Sequence, residues 1–143
     1  MKVLLTGAAG FIGAEVARAL LEAGHTVHGL DNLNDAYDVR LKEWRLEQLR
    51  QRSGFSFLLC DITDLPALEE RWNRHGPFEA VIDLAARAGV RQSLVDPWAY
   101  LSANAVGTLN LLEMCRRQGT QKFVLASSSS VYGRSTELPY REA

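Results

Sequence analysis

Eight residues, Thr6-Gly7-Ala8-Ala9-Gly10-Phe11-Ile12-Gly13, constrain this chain more than any other stretch. They follow a short apolar run, Lys2 to Thr6, and lead into a segment of helical periodicity. Glycines at such a junction let a strand turn sharply into a helix, and the last of them lets helix and strand pack closely. The same turn presents free backbone N–H groups and the positive end of a helix dipole, and side chains do not obstruct an approaching anion. The spacing is Gly-x-x-Gly-x-x-Gly, wider than the Gly-x-Gly-x-x-Gly of ordinary dinucleotide turns.

The rest of the chain repeats the alternation that this turn begins. Five apolar runs read as strands: Lys2 to Thr6, Thr26 to Leu30, Phe55 to Cys60, Ala80 to Leu84 and Lys122 to Ala126. Four helical patterns lie between them. The first, about Phe11 to Ala23, carries Ile12, Val16, Ala19, Leu20 and Ala23 on one stripe and ends at Gly24. The second, about Tyr37 to Arg52, mixes Leu41, Trp44, Leu46 and Leu49 with charges and stops near Gly54. The third begins around Asp64, with Thr63 as cap and Pro66 in its first turn, and ends by Gly76-Pro77. The fourth is expected as one helix from Pro97, capped by Asp96, to Arg117, with Arg116 and Arg117 against its C-terminal dipole and Gly119 after it.

That last helix carries two apolar stripes, Trp98, Leu101, Ala105, Leu109, Leu112 and Ala99, Ala103, Val106, Met114, and so wants two partners. Strand and helix in alternation predict an α/β, Rossmann-like, doubly wound parallel sheet of five strands in the order 3-2-1-4-5, formed by residues 1–143 as one domain. The last strand is expected at an edge, followed by a serine loop and a polar tail, Arg134 to Ala143, with no helix returning over the sheet.

Composition excludes several classes. Sixteen Lys plus Arg against seventeen Asp plus Glu leave no basic excess for nucleic acid or anionic membrane. No apolar run reaches the roughly 18 residues of a membrane span. Cys60 and Cys115 have no metal-spaced partner, which predicts no metal site and fits a reducing, cytoplasmic setting. The glycines after Met1 to Leu5 interrupt what would otherwise pass for a secretory leader. His25, His28 and His75 lie outside any nucleophile motif and receive no catalytic role.

Asp31 ends the second strand, eighteen residues past Gly13 and close to the expected offset of about 20. A carboxylate there accepts hydrogen bonds from both ribose hydroxyls and repels a 2′-phosphate, and no Arg or Lys follows until Arg40. The turn therefore predicts NAD rather than NADP, against the alternative of a solvated turn aspartate.

Beyond this turn the chain carries Asp31-Asn32-Leu33-Asn34, Asp61-Ile62, Leu84-Ala85-Ala86-Arg87-Ala88-Gly89-Val90-Arg91, Asn104-Ala105-Val106-Gly107-Thr108 and Ser127-Ser128-Ser129-Ser130-Val131-Tyr132-Gly133, in that order. In these motifs it resembles the extended short-chain dehydrogenases, the nucleotide-sugar epimerases and dehydratases. Tyr37-Asp38, Leu41-Lys42 and Arg45-Leu46 look most like the UDP-glucuronate 4-epimerases. The resemblance implies that Gly7, Gly10, Gly13 and the backbone at Phe11 and Ile12 hold the NAD pyrophosphate. It gives Asp31, Asn32 and Asn34 the adenosine ribose, Asp61 and Ile62 the adenine edge, and Leu84, Ala85 and Ala86 the cofactor wall beside Asn104. Ser128 matches the catalytic Ser/Thr that hydrogen-bonds the sugar 4-oxygen, although four serines after a strand also read as a loop with local backbone hydrogen bonds. Arg87 and Arg91 have two open readings, contacts to a substrate phosphate or carboxylate and solvated loop charges. Ser129 is the third substrate candidate.

The implied reaction is transient oxidation at C4 of a UDP-sugar such as UDP-glucuronate, with hydride returned to the other face. Dehydratases of the group carry Asp-Glu after the catalytic position, whereas Ser129 and Ser130 stand here, so epimerase is preferred. The chain departs from the family in having no Tyr-x-x-x-Lys pair: Asp38 and Gln118 stand four before Lys42 and Lys122. It is therefore expected to be the N-terminal cofactor part of an epimerase, without the substrate domain and inactive alone. A free-standing, non-catalytic NAD-binding module and a 4,6-dehydratase fragment are the alternatives. Self-association is expected through the helix at 97–117, on the stripe Ala99, Ala103, Val106, Met114. Asp83, where relatives usually have His, needs a hydrogen-bond partner if buried.

Overall fold

The computed structural model describes residues 1–134 and 138–141, so part of the polar tail expected from Arg134 to Ala143 lies outside the described residues. Five strands, β1 (Lys2–Thr6), β2 (Thr26–Asp31), β3 (Phe55–Leu59), β4 (Ala80–Asp83) and β5 (Lys122–Leu125), form one parallel sheet in the order 3-2-1-4-5, as expected. The order reverses direction between β2-β1 and β4. At such a switch point the connections leave the strand ends on opposite faces and open a crevice.

Side chains alternate across the sheet and build a core on each face. On one face Leu4, Leu30, Leu58 and Val81 pack with Trp72 of α3 (Leu65–His75) and Leu111 and Met114 of α6 (Thr108–Gln118). On the other, Leu5, Ala8 and Val27 meet Ala14 and Ala17 of α1 (Phe11–Glu22) and Leu49 of α2 (Val39–Arg50). Asp64 and Asp38 cap α3 and α2, accepting from the Ala67 and Arg40 amides at 3.0 Å each. The α3 cap is thus one residue later than the Thr63 expected.

Three packing expectations need correction. In α1 the buried positions are Gly13, Ala14 and Ala17, while Ile12 is exposed. Small side chains let this helix sit close over the β1 turn, and Ile12, beside the open helix end, has no core to enter. In α2 the buried face is Lys42, Leu46 and Leu49, one turn apart, with Leu41 and Trp44 exposed.

The single helix expected from Pro97 to Arg117 is instead α5 (Pro97–Leu101), a π-helical segment Ser102–Gly107 and then α6. A further short helix, α4 (Val90–Val95), precedes it. The π segment rotates the register, so Gly107, Leu111, Met114 and Cys115 face the sheet. A Cβ on Gly107 would lie 2.4 Å from Ile62 Cδ1, which shows how closely the segment presses on the loop after β3. Ala99 and Ala103 are half-buried and Met114 is buried, whereas Trp98, Leu101, Leu109 and Leu112 face outward. The open stripe is therefore the opposite of the one expected to mediate self-association; of the expected set, Val106 alone is exposed.

β5 is the edge strand foreseen, with Val124 and Leu125 half exposed, and a 3-10 turn, Ser129–Tyr132, follows it. No described helix is long and apolar enough to cross a membrane, and no cluster of metal-ligating side chains occurs among the described residues.

Candidate functional site

The C-terminal ends of β1, β2, β3 and β4 border a groove of about 780 Å³ at the switch point. Gly7 begins its floor with φ +66°, and a Cβ there would lie 2.8 Å from the Leu84 carbonyl oxygen, so only glycine fits between the two loops. A Cβ on Gly13 would lie 2.0 Å from the Gly7 carbonyl oxygen, which fixes how closely α1 approaches the turn. Gly10 opens α1 and provides no side-chain cap. The first amides of the helix, at Phe11, Ile12 and Gly13, thus lack intrahelical acceptors and carry the positive dipole end.

Asp31 is 7% exposed, which discards the solvated-turn alternative. Its Oδ1 accepts from the Leu33 amide at 2.9 Å and the Lys42 ammonium at 3.4 Å, and its Oδ2 from the Ala9 amide at 3.1 Å. A carboxylate has about four acceptor positions. Three are used, and among the described residues the fourth, on Oδ2, has no partner.

Asn32 Nδ2 donates to Asp61 Oδ2 at 2.7 Å, and Asn32 Oδ1 accepts from the Asn34 amide at 3.1 Å. The other Asp61 oxygen accepts from the Thr63 amide and hydroxyl at 2.8 and 2.7 Å. Burial raises the Asp61 pKa, but the hydrogen bonds from Thr63 and Asn32, with the Arg87 charge, outweigh it and hold the carboxyl below its ordinary value. Leu84, Ala85, Ala86 and Ile62 complete the apolar part of the groove.

A second cavity of about 600 Å³ adjoins it, sharing Ala85 to Ala88 and Tyr100, and is bordered by Asp83, Asn104, Thr108 and Ser128. Asn104 lies here and not in the first groove. Its amide clamps the Arg87 peptide, accepting from the Arg87 amide at 2.8 Å and donating to the Arg87 carbonyl at 2.9 Å, while the Tyr100 hydroxyl donates to the Ala88 carbonyl. Arg87 borders both cavities. Arg91, on exposed α4, borders neither, and Ser129 likewise stands outside them.

Ser128 Oγ accepts from the Ser130 amide and bonds the Ser130 hydroxyl, both at 3.2 Å, so the local-loop reading and the exposed position at the cavity rim hold together. Asp83 meets the condition set for it. It is buried, and its two oxygens accept from the Thr6 hydroxyl at 2.6 Å and the Thr108 hydroxyl at 2.9 Å. Thr6 Oγ1 in turn accepts from the Leu84 and Ala85 amides at 3.1 Å each, tying the wall of the groove to β1.

Sequence reasoning missed Lys42. The stated gap in cations up to Arg40 overlooked that Arg40 is exposed and held by Asp38, whereas the next lysine turns inward. Its signal was available: Lys42 falls four and seven residues before Leu46 and Leu49, on the buried face of α2.

Comparison with known proteins bears on this geometry directly. Residues 3–143 match the family described as NAD dependent epimerase/dehydratase. The chain belongs to that family. Among the epimerase/dehydratase proteins, the UDP-glucuronate 4-epimerase of Thermodesulfobacterium geofontis is 51% identical over 139 residues, 97% of this chain and 42% of that protein. UDP-glucuronate 4-epimerase 2 of Arabidopsis thaliana is 46% identical over 143 residues, covering 99% of this chain and 32% of that one. The UDP-glucuronic acid 4-epimerase of Bacillus cereus, a mutant solved with UDP-4-deoxy-4-fluoro-glucuronic acid and NAD, superposes at a TM-score of 0.82 and 38% identity, over 96% of this chain and 43% of that chain. The UDP-Glc/GlcNAc 4-epimerase of Campylobacter jejuni gives 0.85 at 31% identity, over 95% and 40%. The chain thus spans about two fifths, or less, of the length of these relatives. The family and fold expected from the motifs agree with these findings, and so does the family's dependence on NAD.

Proposed function

We propose that this chain is the N-terminal NAD-binding domain of a UDP-sugar 4-epimerase that acts on UDP-glucuronate. The observation that carries the reading is the convergence, in one groove, of an uncapped helix N-terminus, a glycine turn too tight for a Cβ, and a buried carboxylate with one open acceptor position. These features fit a dinucleotide. The α1 amides at Phe11 and Ile12 bind the pyrophosphate, with Gly7, Gly10 and Gly13 keeping side chains away. Asp31 accepts from the adenosine ribose, Asn32 and Asn34 shape the loop beneath it, and Asp61 with Ile62 borders the adenine. Leu84, Ala85 and Ala86 exclude water along the wall, and Asn104 holds the Arg87 peptide that joins this wall to the second cavity.

Bound there, NAD supplies the acceptor and later the donor of a hydride at the sugar C4. The chain's own part at that centre is Ser128, whose exposed hydroxyl hydrogen-bonds the 4-oxygen while a proton moves. Arg87 is the better candidate for a substrate phosphate or carboxylate, since Arg91 and Ser129 stand outside both cavities. Ser129 and Ser130, standing where dehydratases have Asp-Glu, support epimerase over dehydratase.

With no Tyr-x-x-x-Lys pair among the 143 residues, the proton acceptor comes from outside this chain, and conversion of UDP-glucuronate by the purified chain is expected to be undetectable. The outward stripe Trp98, Leu101, Leu109, Leu112 supports self-association, visible as concentration-dependent mass in light scattering.

Isothermal titration of the chain with NAD and NADP, beside Asp31→Ala, tests the cofactor site. NAD is expected to bind in preference, and Asp31→Ala to weaken it about 10- to 100-fold, the effect of removing a charged hydrogen-bond partner. Failure of the folded chain to bind either nucleotide overturns the reading.

A further inference from the structure

The buried charge that the dinucleotide site does not require by itself is Lys42. Its side chain is 5% exposed, with the ammonium 3.4 Å from Asp31 Oδ1 and 3.1 Å from Asn34 Oδ1, and 5.1 Å from the centroid of the Tyr37 ring. It borders the groove together with those three residues. Leu46 and Leu49, which follow it on the same helical face, are apolar, so packing of α2 does not call for a cation here. A buried ammonium persists only where partners offset its desolvation. Asp31 is the one anionic partner that Lys42 has among the described residues.

Charge balance at the ribose end follows from this pairing. With Asp31 ionised, its pair with Lys42 is neutral as a unit, and Asp35 and Asp61 are the further carboxylates on the groove. A 2′-phosphate arriving there meets these carboxylates, while the other cations nearby are Arg87, whose charge acts on Asp61, and Arg45, whose guanidinium donates to the Ala9 carbonyl at 3.3 Å and the Tyr37 hydroxyl at 3.1 Å. If Asp31 loses its charge but keeps its shape, the same ammonium stands buried at the groove wall with neutral partners, the amide at position 31, Asn34 and the Tyr37 ring, and a phosphate becomes the anion that satisfies it. Lys42 also occupies Oδ1 together with the Leu33 amide, which leaves the open acceptor position on Oδ2.

We propose that Lys42 is a specificity-determining residue of the adenosine ribose site: held by Asp31 it orients that carboxylate for a 2′-hydroxyl, and released from it it becomes a receptor for a 2′-phosphate. This rests on the NAD site proposed above. The site's preference for NAD therefore depends on one carboxylate masking one lysine, and a single isosteric change removes that negative charge and leaves the ammonium unmasked.

Titration of the chain and of Asp31→Asn, Lys42→Met and the double variant with NAD and with NADP tests the assignment, with circular dichroism reporting the fold of each. Asp31→Asn is expected to shift the NADP-to-NAD affinity ratio toward NADP by about tenfold or more, the low end of what unmasking a buried charge does. The double variant is expected to lose that gain, because the receptor is gone. Lys42→Met alone is expected to weaken NAD by about threefold to tenfold and to push the ratio further from NADP, as Asp31 is then unopposed. An Asp31→Asn chain that folds but gains nothing for NADP overturns the proposal, as does a double variant that keeps the gain. Where Asp31→Asn does not fold, Lys42→Met decides, and an unchanged ratio overturns the proposal. A wild-type chain that binds neither nucleotide defeats the NAD site and this inference with it, whereas one that binds NAD but shows none of these shifts defeats only the role of Lys42.

Discussion

The two flanks of the sheet differ sharply in how much of their work is finished. From β1 out to β3, Val27, Leu30 and Leu58 are buried beneath α1, α2 and α3, and the polar groups above them are linked: Asp31, Lys42, Asn34, Asn32 and Asp61 form one connected set. From β4 to β5, Val124 and Leu125 are half open, Leu94, Val95 and Trp98 are more than 70% exposed, and Ser128, among the described residues, bonds only within its own loop. The first flank is preorganised by its own packing, which lowers the ordering cost of binding a nucleotide. The second presents apolar surface of the kind that marks contact with further protein.

Two tryptophans sharpen this contrast most. Trp72 is 1% exposed and packs edge-on against Phe78 at 5.1 Å, with no hydrogen-bond partner on Nε1, so its value lies in packing alone. Trp72→Ala is expected to cost about 3–5 kcal/mol in urea unfolding. A loss below about 1 kcal/mol would mean that the first flank is not packed as described.

Next in size is Gly13→Ala. Alanine normally favours a helix interior by up to about 1 kcal/mol over glycine, but here its Cβ would meet the Gly7 carbonyl at 2.0 Å. A net loss of about 1–3 kcal/mol is expected, together with weakened NAD binding. Stabilisation by this substitution would show that α1 does not sit so close to the turn.

The third prediction concerns pH. Burial, with the positive charge of Lys2 and His75 nearby, pushes half-buried His28 from 6.5 down to about 4. Because the folded state resists protonation more than the unfolded one, this contribution is complete above about pH 6.5 and is lost as pH falls from there through about 4. Unfolding measured across that window is expected to show a shallower pH slope in His28→Gln than in the wild-type chain. Equal slopes would place His28 in water.

Smallest in stability is Trp98→Ala on the open flank, expected within about 0.5 kcal/mol of wild type. Its effect is expected instead in light scattering, as a reduction of the self-association proposed above. A large loss of stability there would erase the contrast between the flanks.

Much of this was legible from residue order. The five strands, their alternation with helices and the glycine turn follow from apolar runs and breakers, because those signals are local, and the order 3-2-1-4-5 is that of the Rossmann-like fold class they imply. Asp31 was legible too, since its distance from Gly13 is set by one helix and one strand. The fourth helix was not. Its 97–117 pattern holds a single glycine, Gly107, and no internal proline, yet the chain passes through a π segment at Ser102–Gly107 that turns Leu111 and Met114 inward and brings Gly107 against Ile62. Helical periodicity assumes a constant 3.6 residues per turn, and a π segment breaks that assumption without a change of composition. The wrong stripe was therefore assigned to the open face.

Lys42 was hidden for a related reason, since a lysine between Leu41 and Glu43 reads as solvated surface until the face of α2 is fixed by its packing. The amino-acid sequence by itself determined the alternation of strands and helices and the glycine turn that opens α1, because periodicity and backbone sterics act over neighbouring residues. Only the tertiary structure decided which charges meet in the groove and which apolar face stays open, because charge pairing and burial depend on residues far apart in the chain and on the rotation of each helix about its axis.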